Sequence, residues 1–277
     1  PSAMFSVKYM LSSNPVDESP LRTLVGSSNG NYLYRNNYCL PLGYMMSEKA
    51  IKGWESSMLD RIGSLNSLAQ QLGAKGDMLY PATCTQSQAA GDTTIDISED
   101  GYYYADYVTC NADSLTVSRD DGWTQQYGKT THRYLLDLGE CKAGTKIHIT
   151  NLNAETIEYH VYRLNFKAMC TAYETLSEQT MSLEKMTDRR IVGSIDVRKA
   201  GRLILSVPAD EGWTLYVDGK KTKIKPFADA LIGVHLKEGT HKIELRYTTP
   251  GVQIGAAISI AALLLFCLLY TSDAADD

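Results

Sequence analysis

The sequence predicts a mainly β chain with a few helices: two antiparallel β-sandwich or jelly-roll-like units followed by a truncated transmembrane helix. Three observations predict it. Short runs that alternate apolar and polar residues recur between 83 and 168 and again between 190 and 248. Turn signals such as Glu99-Asp100-Gly101, Asp120-Asp121-Gly122 and Asp218-Gly219 separate the runs. An uncharged apolar stretch then extends from Val252 to Tyr270, close to the roughly 20 residues that a spanning helix needs.

The elements follow in order. Phe5 to Leu11 alternates as a strand does, so the chain opens as if inside a domain, and no basic and apolar leader precedes it. Asn36 to Met46 reads as a strand entered through a turn. From Met58 to Leu72, apolar residues at 58, 59, 62, 65, 68, 69 and 72 have the spacing of an amphipathic helix, and Gly73 is its natural stop. Ile95/Ile97, Leu115/Val117, Ile147/Ile149 and Ile157/Tyr159/Val161 then alternate with polar neighbours, the pattern of a sandwich or jelly roll. A helical stretch is expected at about Met169 to Lys185, with Ala172, Leu176, Met181 and Leu183 as its apolar members.

Strands resume with Ile191, Ile195 and Val197, then Leu203, Leu205 and Val207. Trp213, Leu215 and Val217 lead into Asp218-Gly219, a two-residue hairpin signal because both positions tolerate positive φ. Lys221 to Lys225 is expected to return, and Ile232–Leu236 and Ile243–Tyr247 complete the set. The expected organisation is an α+β segment over 1–73, continuing from a region upstream, and a β-sandwich over 74–168. A helical connector over 169–189 and a second sandwich over 190–250 follow. The membrane helix occupies 251–266.

The segment Cys267-Leu268-Leu269-Tyr270-Thr271-Ser272-Asp273-Ala274-Ala275-Asp276-Asp277 resembles one reading frame of a transposase adapter used in sequencing libraries. On that reading the natural sequence stops at Phe266 and the helix is cut short. Without Asp273, Asp276 and Asp277 the formal charge of −5 becomes −2.

Composition narrows the function. The charge is near neutral and no basic stripe stands out, which argues against nucleic acid. Tyr (18) far outnumbers Phe (4), as suits half-buried strands with wet hydroxyls. Cys39, Cys84, Cys110, Cys141 and Cys170 contain no CxxC spacing, so no zinc site is expected. Two readings of these cysteines stand: one disulfide among Cys84, Cys110 and Cys141, or lone buried thiols. His148 and His160 are expected to point outward from neighbouring strands, but no third ligand is indicated, so neither metal nor cofactor is expected. No phosphate loop or dinucleotide glycine pattern stands out.

Gly101-Tyr102-Tyr103-Tyr104-Ala105-Asp106-Tyr107 puts Tyr103 and Tyr107 on one strand face and Tyr102 and Tyr104 on the other. Tyr103, Tyr107, Trp123 and Tyr127 are the candidates for stacking on a glycan. Cross-strand tyrosine packing is the competing reading. Lys220, Lys221, Lys223 and Lys225 form a basic hairpin suited to anionic lipid or polymer phosphates, or to a protected sheet edge.

Gly212-Trp213-Thr214-Leu215-Tyr216-Val217-Asp218-Gly219-Lys220-Lys221 resembles the GW-x-V-x-VDGK run of the YfhO family of bacterial membrane proteins. Glu238 to Tyr247, then Pro250-Gly251 and Gly255, resembles that family's exit into its last membrane helix, although Thr249 stands where the family usually has proline. Val7-Lys8-Tyr9 and Leu40 to Met45 are also similar to family segments. For Trp213, Asp218 and Gly219 a structural role suffices: a core-filling ring and a turn.

The resemblance implies a parent with many membrane helices, similar to glycosyltransferases that use polyprenyl-phosphate sugars and implicated in glycosylating cell-envelope polymers such as lipoteichoic acid. The catalytic acidic residue of that superfamily lies in an early loop, so the resemblance assigns no catalytic residue here. It implies a bacterial cell membrane location with residues 1–250 extracytoplasmic; charge does not decide the orientation. The expected partners are the lipid bilayer, through 251–266 and its continuation, and a cell-envelope glycopolymer. Three functions follow for the chain: an accessory domain of a glycosyltransferase, a membrane-anchored carbohydrate-binding module, or a structural ectodomain.

Overall fold

The structure, a computed structural model, describes residues 2–13, 15, 18–57, 59–89, 91–107, 113–128, 135–151 and 156–273. The chain divides into two compact units, one of residues 1–40 and 46–178 and one of residues 41–45 and 179–277.

The first unit opens with a 3-10 turn, Ser2–Phe5, and a three-stranded antiparallel sheet of β1 (Tyr9–Ser12), β2 (Arg22–Ser28) and β3 (Asn31–Asn36), in the order β1-β3-β2. Asn29 and Gly30 both have positive φ (50° and 73°), the requirement of the tight turn between β2 and β3. The strand expected from Phe5 thus begins only at Tyr9. Next in sequence comes β4 (Gly43–Met46), not a strand from Asn36. Pro41, which has no backbone N–H to give a ladder, lies just before it.

Helices α1 (Glu48–Gly53) and α2 (Arg61–Gln71) follow. The side chain of Asp60 caps α2 by accepting from Gly63 N. Gly73, at φ 94°, ends it in the left-handed region. Met58, the expected first residue of this helix, lies outside the described residues.

The body of the first unit is two sheets. One is β10 (Thr124–Gly128), β9 (Ser114–Arg119), β12 (Lys146–Asn151), β7 (Asp92–Ile97) and β6 (Cys84–Ala89), in that spatial order. The other is β11 (Leu136–Cys141), β8 (Gly101–Tyr107), β13 (Tyr159–Leu164) and β5 (Leu79–Pro81). Consecutive strands from β7 to β9 and from β10 to β13 switch sheets, the connectivity of a jelly roll with β6 added at an edge. The alternating residues supply the core. Ile95, Ile97, Leu115, Val117, Ile147 and Ile149 face Tyr103, Ala105, Tyr107, Leu136, Leu138, Tyr159 and Val161. This connectivity also separates the two histidines. His148 is on β12 and His160 on β13, strands of different sheets rather than neighbours.

Helix α3 (Phe166–Ser177) completes the unit, capped by Asn165, whose side chain accepts from Ala168 N. It ends well before Lys185. Ser182–Thr187 is instead strand β14, paired with the next strand, β15 (Arg190–Val197). All six β14 side chains are exposed, so no period-two pattern marks it.

The second unit is a smaller sandwich. β14 and β15 join β20 (Gly239–Tyr247), β17 (Trp213–Val217) and β18 (Lys220–Thr222) in one sheet, ordered β14-β15-β20-β17-β18. β16 (Gly201–Pro208), β19 (Leu231–Leu236) and β4 form the other, ordered β19-β16-β4. Ile191, Ile195, Leu215, Ile243 and Leu245 pack against Leu203, Leu205, Ile232, Val234 and Met45. Gly43 permits a close approach here: a Cβ on it would lie 2.8 Å from Leu205 Cδ2 and 2.9 Å from Met181 Cβ. The basic return strand is short, since pairing with β17 covers only Lys220 to Thr222.

Thr248 to Gly251 connect β20 to α4 (Val252–Asp273). Ile254, Ile258, Leu263 and Phe266 on α4 are exposed. Among the described residues, no helix is long and apolar enough to cross a membrane.

Candidate functional site

The tyrosine strand β8 sorts its rings by face. Tyr103 and Tyr107 are both 1% exposed and lie in the jelly-roll core. The Tyr103 hydroxyl donates to the Glu99 carbonyl at 2.7 Å, and the Tyr107 ring meets Tyr159 edge-on at 6.3 Å. Neither offers a ring face to solvent. Trp123 is half-buried against the same core, with the Arg119 guanidinium 4.7 Å over its ring. Arg119 is buried and pairs with Asp121 at 2.8 Å.

The opposite face of β8 carries a polar cluster. Tyr102 and Tyr104 are half-buried with their ring centroids 5.3 Å apart. Across the ladder Tyr104 pairs with Asp137, where β11 has a bulge: Asp137 opposes Tyr104 and Gly139 opposes Tyr103. Gly139 takes φ 81°, which allows the extra residue. Leu136 and Leu138 enter the core while Asp137 points the other way, as strand alternation requires.

Asp137 is firmly held. Its Oδ1 accepts from Gly139 N at 3.0 Å, and its Oδ2 accepts from the Tyr102 hydroxyl at 2.9 Å and from Arg22 Nη2. Arg22 Nη2 also donates to the Tyr102 hydroxyl. Tyr127, on β10, grips the backbone of the same residue. Its hydroxyl donates to Asp137 O at 2.9 Å and accepts from Asp137 N at 3.0 Å.

The electrostatics follow from burial. Desolvation, then the Asp137 charge, push the Tyr102 hydroxyl far above its ordinary value. Tyr104 and Tyr127 are raised by the same two causes. Burial works against the Arg22 charge, but Asp137, Tyr102 and Tyr104 together outweigh it and keep the guanidinium protonated.

This cluster forms one wall of a cavity of about 480 Å³ within the first unit. Arg22, Tyr104 and Asp137 lie on the sheet wall. The facing wall is the apolar stripe of α2, with Leu68 and Leu72, and that of α3, with Met169, Ala172 and Leu176. Tyr38 also lines it, edge-on to Tyr173 at 5.1 Å. Its hydroxyl accepts from Cys170 Sγ at 3.5 Å, and that bond, with burial, pushes its pKa up to about 12.

Alternation predicts the two faces of β8 but carries no signal for Arg22 or Asp137. They lie 115 residues apart and have no local motif. Cys39, Cys84 and Cys170 are half-buried thiols, while Cys110 lies outside the described residues.

The residues of the GW-x-V-x-VDGK-like run sit in the second unit. Trp213 is half-buried against the core, with its ring edge-on to Tyr247 at 5.0 Å. Asp218 (φ 52°) and Gly219 (φ 77°) make the predicted hairpin turn. The Asp218 carboxylate also accepts from Lys242 N and pairs with His241 Nδ1, both at 2.8 Å. His241 Nε2 lies 3.1 Å from the Lys237 carbonyl. Both ring nitrogens therefore face acceptors, which favours the imidazolium. The bond to Asp218 raises the His241 pKa, and the same bond lowers that of Asp218.

Together these features define a β-rich chain with a polar-and-apolar cavity and an apolar helix four residues after its last described strand. The family model described as "Bacterial membrane protein YfhO" matches residues 2–259, and the chain belongs to that family. It is 27% identical over 209 residues to "Uncharacterized protein YfhO" of Bacillus subtilis (strain 168), covering 72% of this chain. The chain spans 23% of that relative's length. Among solved structures, a "Cupin 2 conserved barrel domain protein from Leptotrichia buccalis" aligns with 61% of this chain and 91% of its own, at 11% identity and a TM-score of 0.16.

Proposed function

We propose that this chain is the non-catalytic, extracytoplasmic C-terminal part of a glycosyltransferase-like membrane protein acting on cell-envelope polymers such as lipoteichoic acid. In this reading 251–266 begins a membrane-spanning helix, and the two sandwiches frame or hold the acceptor at the outer surface. The observation that carries it is the junction. β20 ends at Tyr247, four residues pass, and an uncharged helix with exposed Ile254, Ile258, Leu263 and Phe266 begins. A fully exposed helix of this kind is stable in lipid, not in water. Membership of a bacterial membrane protein family supports the same reading.

The test reconstitutes the chain in proteoliposomes with a radiolabelled polyprenyl-phosphate sugar and a purified envelope glycopolymer. Retention on the vesicles with no sugar transfer is the expected result. Transfer by this chain alone would overturn the non-catalytic assignment. Failure to stay with the vesicles after a high-salt wash would overturn the membrane assignment. Glycopolymer binding that persists without α4 would favour the carbohydrate-binding alternative.

A further inference from the structure

We propose that the cavity of the first unit binds a single-chain amphiphile with an uncharged, oxygen-bearing polar end, of which a monoacylglycerol is the simplest example. The two walls differ in chemistry, and that difference selects the ligand. The helix wall is aliphatic: Leu68 and Leu72 on α2, and Met169, Ala172 and Leu176 on α3, follow the i, i+3, i+4 and i+7 spacing of a core-facing stripe. Leu68, Leu72, Ala172 and Leu176 are themselves buried, and with the half-buried Met169 they border a space of about 480 Å³, the size of a small-molecule site. At roughly 30 Å³ for a group the size of a water, it holds on the order of fifteen such groups, which matches a glycerol ester with a medium-length acyl chain of about eight carbons.

The sheet wall fixes the other end. Arg22, with 11% of its side chain exposed, commits Nη2 to Asp137 and Tyr102. Among the described residues its Nε and Nη1 have no hydrogen-bond partner. These N–H groups are open to the cavity and can donate to water or to a bound acceptor. The acceptor need not be charged, because Asp137 already neutralises the guanidinium. An anionic head would sit against the Asp137 carboxylate, and a cationic one against Arg22. An ester or hydroxyl oxygen satisfies the free donors without either conflict, and the aliphatic tail lies along α2 and α3.

The experiment uses the full chain in phosphatidylcholine vesicles containing a trace of monoacylglycerol with a photoreactive diazirine near the end of its acyl chain. After irradiation, adducts are mapped by peptide mass spectrometry. Adducts are expected on 61–71 and 166–177, and at least tenfold competition by unlabelled monoacylglycerol. Ala172→Trp, which fills the cavity from α3, should cut that labelling about tenfold without lowering the melting temperature. Should this variant misfold, the competition on the unaltered chain still decides. A diazirine fatty acid of the same length should label these peptides several-fold less. Adducts on α4 report bilayer contact separately, so their absence counts against the membrane reading and not against the cavity. Absence of competable adducts on α2 and α3 overturns the proposal. Equal or stronger labelling by the fatty acid overturns the uncharged head.

Discussion

The Arg22–Asp137 pair should reveal itself through asymmetric losses. Asp137→Ala leaves a guanidinium whose side chain is only 11% exposed. Breaking a buried pair from one side typically costs about 3–5 kcal/mol, and the lower end applies because the cavity admits solvent to Nε and Nη1. Arg22→Met leaves a carboxylate that is 31% exposed and still accepts from Tyr102 and Gly139. That loss should be about 1–2 kcal/mol. Replacing both with apolar residues, Arg22→Met with Asp137→Leu, removes the uncompensated charge and should fall within about 1 kcal/mol of wild type. With the Asp137→Leu single variant, expected to lose about as much as Asp137→Ala, as the matching corner, the double-mutant cycle gives a coupling of about 3 kcal/mol. Urea unfolding followed by tryptophan emission reads this, since Trp54 and Trp123 both lie in the first unit. In a unit of this size Asp137→Ala should also lower the melting temperature by about 6–12 °C. Two small, equal and additive losses would show that the pair is solvated and that the cluster is not the buried network described above.

Three further outcomes are expected. Gly43→Ala should destabilise the second unit by about 1–3 kcal/mol, as overpacking does, because its Cβ would meet Leu205 and Met181 inside 3 Å; unchanged urea midpoints would refute the close approach. Trp213→Ala should cost about 2–3 kcal/mol, less than the ~3–5 of a fully buried aromatic, since the ring is half-buried against Tyr247; intact thermal stability with lost glycan affinity would make it a binding residue instead. The Asp218–His241 pair should make the second unit's stability pH-dependent. The raised His241 pKa gives a contribution fully present below 6.5 and lost as pH rises through the folded value. The lowered Asp218 pKa gives one present above 3.8 and lost as pH falls through its folded value. The extra stability therefore lies between about pH 4 and 6.5, at no more than about 1 kcal/mol because Asp218 is half-exposed. Asp218→Asn should flatten melting temperature against pH across that window; an unaltered profile would remove the pair from the account.

Where one strand face is apolar and the other polar, the sequence was readable. Ile95/Ile97 and Ile147/Ile149 alternate with polar residues, and each is buried as the alternation requires. Asp218-Gly219 carries its turn in its own backbone preference, so no tertiary context was needed. The tyrosine strand was half readable. Period two separates Tyr103 and Tyr107 from Tyr102 and Tyr104, but with tyrosine on both faces nothing local says which side enters the core. β14 was not readable at all, because it is exposed on both faces and is held by backbone pairing to β15. Leu176, Met181 and Leu183 fit a continued helix equally well until that partner strand is known. The cavity lay beyond any local signal, since its walls come from elements far apart in the chain, among them β1, β2, β3, α2, β5, β8, β11, β13 and α3.

The chemistry of the polar cluster fits binding better than catalysis. A general base needs a lone pair directed at substrate and a pKa near the working pH. Asp137 is badly placed for this: both carboxylate oxygens already accept, from Gly139, Tyr102 and Arg22, and Tyr127 clamps its backbone. The tyrosines are no better suited, because burial and the Asp137 charge keep Tyr102, Tyr104 and Tyr127 protonated. What remains available is donation from Arg22 Nε and Nη1 at a fixed position above an aliphatic wall. A group that donates without titrating, beside a bulge and three hydrogen bonds to one carboxylate, orients a ligand and leaves its bonds intact. If Tyr102→Phe were to abolish a reaction of the parent protein while leaving amphiphile labelling of α2 and α3 unchanged, that division between binding and chemistry would fail.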